Sequence, residues 1–412
     1  MINNNNIISD IGTITSNIHN LYNQSNCNIL ECDILCPGLI DIHTHGIGGA
    51  DNVLWYYKNP QYTASKLPMF GTTSFLSTVV FSNECMDEVI QMCCDDLSPF
   101  ILNYNTYHSG AICEGIHCEG PIIADFGGLP NSSAANTWSM QQFQQFINAD
   151  HLNKIVNKIV KMMTISPSID FMQHFERIKI LKNEGIIPAL GHDRQCTEEQ
   201  IIAALTVLDD SDQKEHRKYS SLHMTHCFNV QKFHHRNVGL ANFALTPTLP
   251  NIEKYKNISR MPTIEIIGDL CHISPILIEA ILNCHSPNYL DRIVFITDGI
   301  AEPIMNKELF YNTRHNHVDP FGKTVKNEQE ILCGSCCDLL TIFRSLVNVF
   351  NIDIDKAVGM TSTNAAQILK MKHKIGTLRV GTRADIILLD GKLELLTTIV
   401  NGHIVYNNNN SK

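Results

Sequence analysis

Eight short apolar runs, each closed by a polar residue or a glycine and followed by a stretch that can be helical, set the first constraint on this chain. They are GLIDIHTH (38–45), TTSFLSTVV (72–80), AICEGIHCEG (111–120), KMMTISP (161–167), IIPALGH (186–192), SLHMTHC (221–227), TIEIIGD (263–269) and RIVFITD (292–298). Alternating β and α units in that number predict a (β/α)8 barrel of the TIM type, because parallel strands need long crossovers. With 412 residues, 44% of them hydrophobic, the chain can fill such a core. The rhythm breaks at GTLRVGTRADIILLDGKLELLTTIVNGHIVYN (376–407), where short strands alternate with turns such as Asp390-Gly391 and Asn401-Gly402. NILECDILCPG (28–38) has the same short-strand character. The expected organisation is therefore a barrel over 37–375 and a small β-sandwich domain built from both termini, 1–36 and 376–412. The polar LDDSDQKEHRKYS (208–220) reads as a solvated surface loop, and 299–332 as a connection long enough to cover a site. Asn clusters at 3–6 and 407–410 read as low-complexity ends.

A formal charge of −10, with no Lys/Arg stripe interleaved with aromatics, argues against a nucleic-acid partner. No run reaches the roughly 18 apolar residues of a membrane span, and MINNNNIISD lacks the regions of a signal peptide. A cytoplasmic location follows as the expectation. In that reducing setting the fifteen cysteines read as small apolar side chains without disulfides.

Catalytic groups of such barrels project from the C-terminal ends of the strands. Here those ends carry His43, His45, Glu119, His192, His226 and Asp298. The strand period of two puts His43 and His45 on one face, where both can grip one cation, and a carboxylate can bridge two metals. A single histidine among nineteen is more often a surface or hydrogen-bonded core residue. Two neutral imidazoles buried together without a partner are costly, so the pair raises the case, and the constellation carries it. His117 shares the face of Glu119 but lies deeper and reads as a hydrogen-bonding support. His223 reads as structural, and His234 and His235 as loop residues. CGSCC (333–337) has one close cysteine pair without a second, which makes a zinc knuckle improbable. Cys93-Cys94 reads as helix packing.

Taken in order, PGLIDIHTHGIGG, GIHCEGP, GHD, THCFN, HRNVGL, GDLCHI, ITD, LCGS and GTLRVGTRADIILLD...TIVNG, spanning 37–402, resemble the amidohydrolase superfamily. Within it they resemble the N-acetylglucosamine-6-phosphate deacetylase family. The H-x-H is shared across the superfamily, whereas H-x-EGP points to the deacetylase branch. Many binuclear relatives bridge their metals with a carboxylated lysine ending the fourth strand, but that strand here ends MTISP. The resemblance implies that Glu119 bridges instead, with His192 and His226 as ligands and His43 and His45 allowing a second metal. One or two divalent ions per subunit are expected, zinc first, with iron or manganese as alternatives. It further implies Asp298 as the acid and base that moves a proton from water to the departing amine, and His272 as a substrate contact stabilising charge on the tetrahedral intermediate. Asn229, the backbone of Val230 and Arg236 would hold the phosphate of an amino sugar, and Leu332, Cys333 and Gly334 would close on the sugar. Relatives in this family are commonly homodimers, and a homodimer is the expectation here.

Three departures bear on the substrate. The family's Gly-x-His-Asn-Pro-like stretch is replaced by GGLPNSSAANTW (127–138), which has no histidine. The HLYNAM pattern becomes HCFNVQ, and the N-terminal part is short. The alternatives left open are an amidohydrolase acting on another N-acyl or cyclic amide, and a non-catalytic barrel scaffold.

Overall fold

The computed structural model describes residues 1–3, 5–9, 11, 29–46, 58–80, 90–103, 110–129, 138–148, 159–284, 286, 288–300, 308–311, 314–318, 324–327 and 330–408. Strand β1 (Ile34–Pro37) precedes eight strands that form one parallel sheet in chain order. These are β2 (Leu39–Thr44), β3 (Thr72–Val80), β4 (Ile112–Ile122), β5 (Val160–Ile165), β6 (Ile187–Leu190), β7 (His223–Met224), β8 (Thr263–Ile267) and β9 (Ile293–Ile296). Each falls on one of the eight apolar runs, with β7 reduced to two residues. β2 and β3 are buried along their whole length, as expected of parallel strands covered on both faces. A helix follows every barrel strand, from Pro60–Lys66 after β2 to Leu339–Asn348 after β9. The latter is started by Asp338, whose side chain accepts from the Thr341 amide at 2.8 Å, and it buries Leu339, Ile342, Phe343 and Leu346 against the barrel core.

Closure between β9 and β2 is made just past the regular ladder. The Asp298 amide donates to the His43 carbonyl at 2.9 Å, and the His45 amide to the Gly299 carbonyl at 2.8 Å. One step lower, the Thr297 hydroxyl donates to the buried Asp41 carboxylate at 2.6 Å. Leu76, Met162, Ala189, Ile267 and Val294, from β3, β5, β6, β8 and β9, belong to one buried cluster, a convergence that barrel curvature makes possible.

The small β unit drawn from both ends of the chain is, among the described residues, one four-stranded antiparallel sheet in the order β1-β14-β15-β16, with β14 (Ile386–Leu389), β15 (Leu395–Val400) and β16 (His403–Asn407). Ile8 packs with Ala384, Ile386, Leu388 and Ile399, so the N-terminal residues cover one face of it. Much of the segment ahead of β1 lies outside the described residues. The connection after β9 is more ordered than its reading as a covering loop implied. β10 (Glu308–Tyr311), β11 (Arg314–Val318), β12 (Thr324–Asn327) and β13 (Leu332–Ser335) pair into a second antiparallel sheet. Its polar sequence, RHNHV for example, hid strands that main-chain pairing makes. Residues 301–307, 312–313, 319–323 and 328–329 of that connection lie outside the described residues. β13 is tied to the barrel rim, the Ser335 amide donating to the Asp298 carbonyl at 2.9 Å. The segment 208–220 also differs from its reading as a loop, because Asp209–Lys214 is a helix. Three acids in its first turn and Lys214 in its last complement the helix dipole, and Asp212 is buried, accepting from the Ser221 amide at 2.6 Å.

None of the described cysteines is in a disulfide. No described helix is long and apolar enough to cross a membrane.

One guanidinium makes several of the polar contacts between the small sheet and the barrel. Arg383, beside β14, reaches Glu114 of β4 at 2.7 Å, Asp385 at 2.6 Å and the Ser74 hydroxyl of β3 at 2.7 Å, and all three charged side chains are less than a tenth exposed. Arg383→Met would strand two buried carboxylates, and urea denaturation should show a loss of about 3–5 kcal/mol. Adding Glu114→Gln should restore part of that loss. An unchanged midpoint in the single variant would show that the cluster contributes little.

Candidate metal and active site

Glu119 lies near the end of β4, where the strand's alternation aims its side chain the same way as His117. Its Oε1 stands 2.7 Å from His192 Nε2 and 3.0 Å from His226 Nε2, and its Oε2 3.2 Å from His45 Nε2. His43 Nε2 is 3.7 Å from the same Oε1. Asp298 Oδ1 completes the group at 3.4 Å from His43 Nε2 and 3.3 Å from His45 Nε2. All six side chains are buried. The structure therefore brings together the residues that the strand ends singled out: His43 from β2, Glu119 from β4, and His45, His192, His226 and Asp298 from just past β2, β6, β7 and β9.

The donor set fits a divalent cation. His192 Nε2 and His226 Nε2 are 3.0 Å apart while both face one carboxylate oxygen, so a single proton between them leaves another contact unmet. His43 Nε2 and Glu119 Oε2 are buried without a hydrogen-bond partner among the described residues. Two of the groupings that could hold a metal ion are His43, His45 and Asp298, and His43, Glu119 and His226, with ligand atoms within 4.8 Å of one another. Imidazole nitrogens with carboxylate oxygens suit zinc, iron or manganese.

Charge in the cluster points the same way. Burial would raise both carboxyls, yet the imidazoles around Glu119 hold it well below the usual range, and His43 with His45 bring Asp298 down to about 2. Burial would lower His43, but Glu265, Asp298 and Glu119 carry it well above its ordinary value. His45, equally buried, is raised to about 9 by Asp298 and Glu119. His226 moves down, through burial and then its neighbour His192. Two ionised carboxylates in a buried centre call for positive charge, which protons or a metal ion can supply.

The loops that carry these groups are strained. His192, His226 and Asp298 have φ of 51°, 22° and 48°, and Phe228 and Val230 after them 78° and 50°. Such angles are uncommon for residues with a Cβ and persist only where surrounding contacts fix them. Here the His192 Nδ1 meets the Asp125 carbonyl at 2.7 Å, and the His226 amide donates to Glu265 at 2.9 Å.

Glu265, which the sequence reading missed, organises one side of the site. From the middle of β8 it accepts from His43 Nδ1 at 2.7 Å, His223 Nε2 at 3.2 Å and the His226 amide, and burial is more than offset by these imidazoles, holding it well below the usual range. A charged residue inside the apolar TIEII was the available signal. His117 contacts Thr164 at 2.8 Å and stacks edge-on to His43, its pKa pushed by burial down to about 3. Asp269, also missed, receives the His272 Nδ1 at 2.6 Å and the amides of Cys271 and His272 at 2.9 Å. Burial would lower His272, but Asp269 and then Asp298 raise it, and its Nε2 is buried without a partner among the described residues.

The expected substrate residues are more dispersed. Asn229 and Val230 form the turn after His226, the Asn229 amide donating to the His226 carbonyl at 2.9 Å. Arg236 is exposed on the bend that follows. Leu332, Cys333 and Gly334 lie in β13, against the barrel rim. A Cβ on Gly334 would stand 2.9 Å from the Asp298 carbonyl oxygen, and Gly128 fits against Leu332 in the same way. The stretch 130–137, where the family histidine is missing, lies outside the described residues. His234 and His235 contact each other, with ring centroids 4.3 Å apart, and stand apart from the metal grouping.

A barrel that places imidazoles and carboxylates on its C-terminal rim is the plan of the metal hydrolases, and the family model described as the amidohydrolase family matches residues 175–410: the chain belongs to that family. Among curated relatives, N-acetylglucosamine-6-phosphate deacetylase of Bacillus subtilis is 26% identical over 90% of this chain and 85% of its own length. N-acetylgalactosamine-6-phosphate deacetylase of Escherichia coli O157:H7 is 23% identical, over 91% and 88%. In fold, the chain is similar to the crystal structure of N-acetyl-D-glucosamine-6-phosphate deacetylase from Mycobacterium smegmatis, with a TM-score of 0.69 at 20% identity, covering 93% of this chain and 92% of that one.

Because Glu265 orients both His43 and the His226 backbone, Glu265→Gln should weaken divalent-metal affinity by about 10- to 100-fold. Competition with a chromogenic chelator reads this without any assay of turnover. Unchanged affinity would mean that the ligands hold their positions without it.

Proposed function

We propose that the chain is a metal-dependent deacetylase that hydrolyses N-acetylglucosamine 6-phosphate to glucosamine 6-phosphate and acetate. The observation that carries this reading is the meeting of Glu119 Oε1 with His192 and His226 at 2.7 and 3.0 Å, while its Oε2 faces His45. The names of the relatives support the substrate class. Glu119, His192 and His226 would hold one divalent ion, and His43, His45 and Asp298 border a second position. Zinc is the first choice, with iron or manganese as alternatives. A cation held there would polarise the acetamide carbonyl and acidify a water molecule beside it.

Asp298, ionised and held from its backbone by β2 and β13, takes the proton from the attacking water and returns it to the departing amine. His272 donates from Nε2 to the carbonyl oxygen as charge builds there, and Asp269 fixes its tautomer through Nδ1. Asn229, the Val230 backbone and Arg236 receive the phosphate, with Leu332, Cys333 and Gly334 closing over the sugar. We take residues 37–375 as the catalytic barrel, with 1–36 and 376–412 as the small β domain. The working form is proposed to be a cytoplasmic homodimer.

A second reading keeps the chemistry and changes the sugar. It is favoured by the histidine-free GGLPNSSAANTW and by the relative named for the galactosamine epimer.

Acetate release from metal-loaded protein tests both. Asp298→Asn should lower kcat by about 10²- to 10⁴-fold. Full activity in that variant would remove the proton-transfer assignment. Arg236→Ala should raise KM for the phosphorylated sugar and leave the unphosphorylated one unaffected. Faster release from N-acetylgalactosamine 6-phosphate would favour the second reading, and no release from any N-acyl amino sugar phosphate would overturn both.

A further inference from the structure

A second cavity, of about 500 Å³, lies at the opposite end of the barrel strands from the metal cluster. Its walls come from residues just ahead of three strands: Lys218 and Tyr219 before β7, Arg260 and Met261 before β8, Tyr289 and Arg292 before β9. The metal-cluster residues His226 and Asp298 come just after the strands that these segments lead into. Although the chain carries a net charge of −10, four cations, Lys218, Lys256, Arg260 and Arg292, line the cavity; the first three have carboxylates beside them, Asp291, Glu253 and Asp209, and these stand outside the lining.

Arg292 is the independent sign of a ligand. It is 2% exposed, and its Nε and Nη1 donate to the carbonyls of Pro262 and Thr246, both at 2.9 Å. Nη2 is buried with no acceptor among the described residues. Two neutral carbonyls and the Tyr289 ring, 5.5 Å from the guanidinium carbon, leave the buried charge without a carboxylate partner among the described residues, and an unused donor on it is costly unless something fills the place. Lys218 is held by Asp291 at 2.8 Å, an exposed pair of the kind that contributes little and can open toward an anion. Arg260 donates through Nε to the Arg217 carbonyl at 2.7 Å. Tyr219 and Tyr255 supply ring surface beside these charges, with Leu249 and Ile258 between them. The volume is that of a small-molecule site.

We propose that this cavity binds a phosphate monoester carrying a ring, the phosphate taken by Arg260, Lys218 and Arg292, and the ring lying on Tyr219 and Tyr255. Occupied, it would tie the segments leading into β7, β8 and β9, which end in His226, His272 and Asp298 at the other side of the barrel, so the ligand is placed to act on the enzyme from a distance. The proposal stands apart from the assignment of the substrate.

Isothermal titration of the full, metal-loaded chain with adenosine 5′-monophosphate, glucose 6-phosphate and inorganic phosphate tests it, alongside hydrogen exchange. Binding of either ring phosphate in the millimolar range or tighter is expected, with slower exchange at 217–219, 246–262 and 286–292, and inorganic phosphate weaker by about tenfold. The two ring compounds separate a nucleotide from a sugar phosphate. Lys218→Gln with Arg260→Gln, both outside the catalytic cluster, should weaken binding by about tenfold and leave unliganded acetate release unchanged. Arg292→Lys, which keeps the charge and removes Nη2, should weaken it further if that variant folds. The proposal is overturned if neither ring phosphate binds at millimolar concentration, if inorganic phosphate binds as well as they do, if protection falls on 226–236 instead, or if the double variant binds unchanged.

Discussion

The Glu119 carboxylate, buried within 3.7 Å of four imidazoles, is the interaction on which the site depends. Its charge is unfavourable in that interior unless cationic partners surround it, and the barrel gathers those partners from distant parts of the chain. The arrangement explains why six buried positions in or just past the barrel strands carry imidazoles and carboxylates. It also explains why each partner is itself held: His43 by Glu265, His192 by the Asp125 carbonyl, His272 by Asp269. Orientation by a second ring of groups is what turns a collection of ligands into a defined centre.

The fold was largely legible because parallel strands buried on both faces leave apolar runs, and eight of them separated by stretches long enough for a helix admit few other architectures. Site legibility followed from the same geometry, since residues at strand ends point to one rim. His43, His45, Glu119, His192, His226 and Asp298 could be singled out without an alignment. The polar antiparallel sheet from Glu308 to Ser335 was hidden, because its strands rest on main-chain pairing rather than on an apolar pattern. Asp209–Lys214 was hidden for a related reason: its helix is favoured by end charges, and its sequence resembles a solvated loop.

Glu265 marks a different limit: it lies mid-strand, and its pairing with His43 and His223 is set by register across β2, β7 and β8, which spacing along one chain does not encode. Asp269 closes the seventh apolar run and meets His272 three residues on, so its pairing lay within reach of the sequence. Arg236 differs again: only the family resemblance singled it out, and its side chain is exposed on the bend after His226.

The hydrogen bonds that complete the ring of strands run between the two segments bearing His43, His45 and Asp298. A bound ion at those residues would therefore act as a rivet across the seam of the cylinder. Loading and mechanical integrity become linked quantities: whatever loosens the seam should lower ion retention early, and whatever seats the ion should stiffen the first and last staves together.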